Sequence, residues 1–162
     1  MNFFMKQRML LSVRALYFCM EEQWSELGKK HNITPAQQHI LFLLAVNKSL
    51  TQSQISELGC WHISTVTRLL KPLKDKGLIT VSPDRNLRRY KNVFITNAGE
   101  SLLLNVVNSV KEMEHFPFPG NHLSESELIK FLEYGQSILD EIKGKSFGIK
   151  VINAKLEGVD YN

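Results

Sequence analysis

The chain has 162 residues, 43% of them hydrophobic and 22% charged, with a formal net charge of +4. That is the size of one ordinary domain, apolar enough to build a core and charged enough to stay dissolved. The longest apolar candidate, Ile40 to Val46, is only seven residues, far below the roughly 18 that a bilayer crossing needs, so a spanning segment is excluded.

Met1 to Met5 followed by Lys6 and Arg8 loosely resembles a signal peptide. Arg14, Glu21 and Glu22 interrupt the apolar stretch, however, and no small-residue cleavage site follows, so this is read as the start of a helix. Met9, Leu10, Val13, Leu16, Tyr17, Met20, Trp24 and Leu27 recur at three- and four-residue steps. The spacing predicts an amphipathic helix over about 5–30, ended by Gly28 and His31-Asn32 and suited to pack on a partner chain or a C-terminal helix. A second helix starts where Thr34 caps, Pro35 takes the first position and Gln37 completes a capping box. Its body, Ile40 to Val46, is apolar nearly all round and therefore expected to be buried. A third repeats the device with Thr51 and Gln54, turns Ile55 and Leu58 inward, and is expected to stop on a left-handed Gly59. The fourth runs from about His62 to Lys76. Val66, Leu69, Leu70 and Leu73 make its buried stripe, while Ser64, Thr65, Thr67, Arg68, Lys71 and Lys74 fall on the other faces. Pro72 predicts a bend and Gly77 the end.

Leu78 to Val81 alternates as a strand does, and Val93 to Ile95 is its return. Between them Pro83, Asp84 and Asn86 form turns, and Arg85, Arg88, Arg89 and Lys91 carry charge, which makes a basic hairpin. Thr96 or Asn97 caps a fifth helix with Leu102, Leu103, Val106, Val107, Val110 and Met113 on its apolar face. Phe116 to Gly120 reads as a rigid turn. Ser124 and Glu127 open a last helix whose Leu128, Phe131, Leu132, Ile138, Leu139 and Ile142 are expected to face inward. The tail, 144–162, shows no pattern and is expected to be loosely held.

Charge is unevenly placed. Between His62 and Lys91 eight Lys and Arg face two acids, whereas between Asn97 and Lys143 three Lys face eight acids. A positive middle third is the electrostatic footprint that phosphate requires. The expected fold is mainly α with a small β-hairpin, in the winged helix-turn-helix plan over 33–96, with helical parts at 5–30 and 97–143. In that plan a helix enters the major groove, where hydroxyls of Ser64, Thr65 and Thr67 reach phosphate or base and Arg68 grips guanine. Lys71 lies on the same helix, and Arg85, Arg88 and Arg89 would follow the backbone or enter the minor groove. The expected partner is double-stranded DNA. The alternative is a winged-helix module for protein contacts, which would tend to carry apolar rather than cationic residues at the wing tip.

Three motifs make a resemblance specific: Ser64-Thr65-Val66-Thr67-Arg68-Leu69-Leu70, then Leu73-Lys74-Asp75-Lys76-Gly77-Leu78-Ile79, then Ile95-Thr96-Asn97-Ala98-Gly99. Together they resemble the MarR family of bacterial regulators over about Ile33 to Leu104. The resemblance implies a homodimer held by the N- and C-terminal helices, a pseudo-palindromic operator, and release by a small-molecule effector or by oxidation. The chain departs from the family at two points. Leu87 stands where the wing commonly carries Asp, with Arg89 retained and Asp84 the substitute acid nearby; Pro72 interrupts a recognition helix that is usually straight.

Cys19 and Cys60 have neither disulfide nor metal spacing and read as reduced thiols of a cytoplasmic protein. Cys60, expected at a helix start, is the candidate redox sensor. The histidines lack ligand spacing, so no metal and no cofactor is expected. No phosphate loop, nucleophile elbow or clustered His/Cys/Asp set is present, so an enzyme is not expected. Tyr17, Trp24, His39 and Trp61 are candidates to line an effector cavity between the helical and winged portions, core packing being the alternative reading for each.

Overall fold

The computed structural model describes residues 1–83, 91–118 and 123–161. Along the chain come α1 (Phe3–His31), α2 (Pro35–Asn47), β1 (Leu50–Thr51), α3 (Gln52–Leu58), α4 (Ile63–Asp75), β2 (Ile79–Pro83), β3 (Lys91–Ile95), α5 (Asn97–Lys111), α6 (Glu125–Lys143) and α7 (Lys145–Phe147). A π-helical turn, Gly148–Ile152, continues from α7. Among the described residues no helix is long and apolar enough to cross a membrane.

At the centre lies α2, buried on several sides as its composition requires. Ile40, Leu41, Leu43 and Leu44 are fully inaccessible, and burying each such side chain stabilises the fold by about 1.5–3 kcal/mol. Around it sit Leu27 of α1, Ile55 of α3, Val66 and Leu73 of α4, Val93 of β3, and Leu103 and Val106 of α5. Both expected capping boxes form here: Gln37 N donates to Thr34 Oγ1 and Thr34 N to Gln37 Oε1, and the same pair links Thr51 and Gln54. Each satisfies two amides that the helix itself leaves open.

The sheet has three antiparallel strands in the order β1-β3-β2. The hairpin was expected; the third strand was not. Leu50 pairs with Val93 and Thr51 with Asn92, so the two residues before α3 are laddered to the middle of the sheet. Register between β2 and β3 runs from Ile79 opposite Ile95 to Pro83 opposite Lys91.

Three helices end on the same hydrogen-bond pattern, in which a left-handed residue lets two amides turn back on the last carbonyls. After α4, Gly77 (φ 70°) takes that place, with Leu78 N bonded to Leu73 O and Gly77 N to Lys74 O. After α1 the left-handed residue is Asn32 (φ 54°), so Gly28 stays inside the helix rather than ending it. After α3 it is Cys60 (φ 56°), while Gly59 is right-handed at φ −86°. This corrects the expected left-handed Gly59. A Cβ there would come 2.2 Å from the Trp61 ring, so space and not handedness demands glycine. α4 runs through Pro72 unbroken to Asp75.

Two other expectations change. No residue of α6 is buried: Phe131, Leu132, Ile138 and Ile142 are exposed, and Leu128 and Leu139 only half-buried. Amphipathic spacing reveals that a face must be covered but not which surface covers it; among the described residues Leu139 packs at the edge of the core while Phe131, Leu132, Ile138 and Ile142 stay exposed. The tail at 144–162 is not wholly loose. Phe147 and Leu156 join the core, Asn47 Nδ2 donates to Lys150 O, and Leu156 N donates to the Tyr161 hydroxyl oxygen. Two apolar side chains among polar neighbours have no periodicity to announce them.

The left-handed Cys60 carries a penalty of about 1–2 kcal/mol that glycine does not. Cys60→Gly should therefore raise the urea midpoint with no change in the slope of the transition. A midpoint equal to or below the parent's would show the strain to be relieved elsewhere.

Candidate nucleic-acid interface

His62 caps α4, its Nδ1 accepting from Ser64 N at 3.3 Å and facing Ser64 Oγ at 2.8 Å. The first turn of α4 therefore begins in an exposed, well-held geometry, with the positive end of the helix dipole beside it. At 100° per residue, Ser64, Thr67, Arg68 and Lys71 fall on one face, opposite the buried Val66, Leu70 and Leu73. All four are exposed; Thr65, at the margin, is half-buried. Thr67 Oγ1 donates to Ile63 O at 3.1 Å, which leaves its lone pairs as the outward feature. Among the described residues no carboxylate lies within ion-pair distance of Arg68, Lys71 or Lys74. The helix thus presents cations that no described carboxylate neutralises, as an anionic surface would require.

The wing's root is equally defined. Thr96 caps α5 by accepting from Gly99 N at 3.1 Å, and its hydroxyl donates to Gly77 O at 2.7 Å. Thr96 N donates to Leu78 O at 3.0 Å. A Cβ on Gly99 would lie 2.3 Å from Leu78 O. The end of α4, both strands and the start of α5 are thereby tied at one place. Arg85, Arg88 and Arg89, together with Asp84 and Leu87, lie outside the described residues.

Cys60 is exposed and sits in the turn between α3 and α4, two residues before the cap. It is not in the helix's first turn, where a thiolate would gain from the dipole.

The four cavity candidates separate. A cavity of about 790 Å³ lies between α1, α2, α5 and the end of the chain. Trp24 and His39 line it; Tyr17 and Trp61 do not. Tyr17 is exposed on α1 with its ring edge-on to Phe18 at 5.6 Å. Trp61 packs edge-on against His39 at 5.2 Å from the far side and belongs to the packing around the core. Trp24 Nε1 donates to Gln38 Oε1. Sequence reasoning missed Phe42, Phe116 and Tyr161 on the wall. Phe42 falls in the apolar run of α2 and was indistinguishable there from core. Burial pushes the pKa of His39 below the ordinary histidine value, so it is neutral in the folded protein near neutral pH.

Comparison with known proteins places these features in context. Residues 33–90 match the model of the MarR family. The HTH-type transcriptional regulator Hpr of Bacillus mycoides (strain KBAB4) is 28% identical over 169 aligned residues, covering 99% of this chain and 91% of that protein. A mutant of MarR from E. coli, in a crystal structure with operator DNA, superposes with a TM-score of 0.75 at 17% identity, over 86% of this chain and 99% of that one. The transcriptional regulator SlyA gives 0.71 at 19% identity, over 86% and 96%.

Because the folded chain protonates His39 less readily than the unfolded chain does, the unfolded state takes up the extra proton as pH falls below about 6.5. Stability from this residue is therefore complete above that value and is lost on acidification toward the lower folded pKa. The urea midpoint should drop between pH 7.5 and 5.5, and His39→Phe should remove part of that drop. An unchanged pH dependence in the variant would assign the effect to other groups.

Proposed function

Because the chain belongs to the MarR family of winged helix-turn-helix transcriptional regulators, we propose that it binds double-stranded operator DNA with α4 in the major groove. The family is one of regulators and not of enzymes. The observation that carries the proposal is the exposed face of α4, where Ser64, Thr67, Arg68 and Lys71 stand together without a neutralising carboxylate among the described residues. Hydroxyls and the helix N-terminus suit phosphate, and Arg68 suits the O6 and N7 edge of guanine. Arg85, Arg88 and Arg89 follow β2 in sequence and would lie along the backbone or in the minor groove. A cytoplasmic location accompanies this role.

We further infer a homodimer. Residues 1–19, which include the first half of α1, are exposed throughout, among them Met9, Leu10, Val13, Leu16 and Tyr17, and α6 exposes its own apolar row. Apolar surface on this scale in one chain marks an interaction site. A two-fold pair would present two α4 helices about one turn of DNA, roughly 34 Å, apart. The cavity beside Trp24 and His39 is the place for a small-molecule effector, since it adjoins both the helical part and the winged part.

Two measurements test this. Arg68→Ala with Lys71→Ala should weaken binding to a selected operator, relax its base preference through the loss of Arg68, and flatten the slope of log K against log salt by about one, near 0.9 for the phosphate that Lys71 no longer neutralises. Equal affinity and an unchanged slope would remove α4 from the interface, and no retarded species at any salt would favour the protein-contact alternative. Leu132→Glu should shift the chain toward monomer in sedimentation and weaken operator binding. A dimer of undiminished strength would mean that α6 is not at its interface.

A further inference from the structure

Most of the cavity wall is apolar, with Trp24, Phe42, Val106 and Val110 among its lining residues. Its charged members are Lys111 and Asp160, and the Lys111 ammonium is already engaged, donating to the Asp160 carbonyl oxygen. The rim therefore carries one cation and one carboxylate, with no net formal charge, and the ammonium is hydrogen-bonded to a backbone carbonyl. His39 is kept neutral by its burial. An anion entering this space would lose its water in a mostly apolar site whose single rim cation shares the rim with a carboxylate, which penalises it relative to a neutral molecule.

One side of the cavity is made by the end of the chain. Leu156, Val159, Asp160 and Tyr161 all line it. This segment carries no helix or strand; the buried Leu156, Val159 against the core and Lys111 on the Asp160 carbonyl seat it, while the bond from Leu156 N to Tyr161 and Lys155 over the Tyr161 ring tie it internally. Segments without a backbone hydrogen-bond ladder open locally while the rest of a fold stays intact. Leu156 also borders a second cleft, lined by Phe94 and Ile95 of β3 and by Leu44. It therefore stands between the cavity and the root of the wing.

We propose that the cavity takes an uncharged, largely apolar molecule, and that Ala154–Tyr161 is a strap that retains it and feels its presence. This deepens the effector reading given above and rests on it. A molecule against Val159 and Tyr161 helps to hold the strap down, and Leu156 carries the change toward β3. The strap is a wall of the site and not a competitor for it, so its loss weakens retention.

N-phenyl-1-naphthylamine, neutral and fluorescent in apolar surroundings, and its sulfonated relative 1-anilinonaphthalene-8-sulfonate differ chiefly in charge. The full chain should bind the neutral probe at one site per chain and the sulfonate about tenfold more weakly or worse. Val107→Trp, which fills the cavity, should abolish the neutral probe's site. Ending the chain after Asn153 should speed the probe's release about tenfold or more, and Leu156→Ala, with the whole chain present, should move release in the same direction. Equal affinity for the two probes overturns the ligand class. Release at the parent rate from both strap variants overturns the strap, and no site sensitive to Val107→Trp overturns the whole proposal. If the neutral probe binds as described yet leaves the operator mobility shift unchanged, the effector reading fails while the cavity and strap stand.

Discussion

Much of the reading head hangs on the hydroxyl of Thr96. That one group accepts from the first turn of α5 and donates to the carbonyl that closes α4. Its backbone amide bonds the next carbonyl along, Leu78, and Gly99 lacks a Cβ so that α5 can lie against that same oxygen. A short polar side chain thus joins the exit of one helix, the base of a hairpin and the entry of the next helix. Few other residues could do this, because the position needs a donor and an acceptor on one atom and little bulk. The Ile95-Thr96-Asn97-Ala98-Gly99 motif is the chemical signature of that junction, with Thr96 and Gly99 placed by contacts that a helix start alone does not require.

Features decided within a few residues could be read from the sequence. Thr34 with Gln37, Thr51 with Gln54, and Ser124 with Glu127 form the capping boxes their spacing announces. The polar face of α4 is where the pattern puts it, because Val66, Leu70 and Leu73 have a core to enter. What escaped depends on distant parts. β1 is two residues long, too short for any period, and exists because β3 lies beside it. The left-handed residue after α3 is Cys60, because the ring of Trp61 occupies the space beside Gly59. Leu156 looked like an isolated leucine in a patternless tail, and only the gap between α2, α5 and β3 gives it a place.

The cavity shows the same division. Composition identified aromatic residues that were candidates for its lining, and the fold sorted them. Trp24 and His39 face the space, whereas Trp61 sits behind His39 and Tyr17 lies on the exposed face of α1. Helical position alone cannot make that choice, since α1 changes along its length from a fully exposed first half to a second half packed on the core. The apolar stripe of α6 carries the related lesson. Its spacing reads as inward-facing, yet among the described residues only Leu139 reaches the core and most of the row stays exposed.

The short strand β1 has a mechanical meaning. Thr51 ends it and is also the cap of α3, so the helix-turn-helix is fastened to the middle strand of the wing at one end and through Gly77 and Thr96 at the other. A part clamped at two points resists internal pivoting. A torque applied along β2 and β3 is borne by the ladder and passed to α3 and α4 together. The remaining freedom is rotation of the whole head about its joints with α1 and α5. For a two-fold pair, the distance between heads would then be the adjustable quantity, and the shape of each head would not.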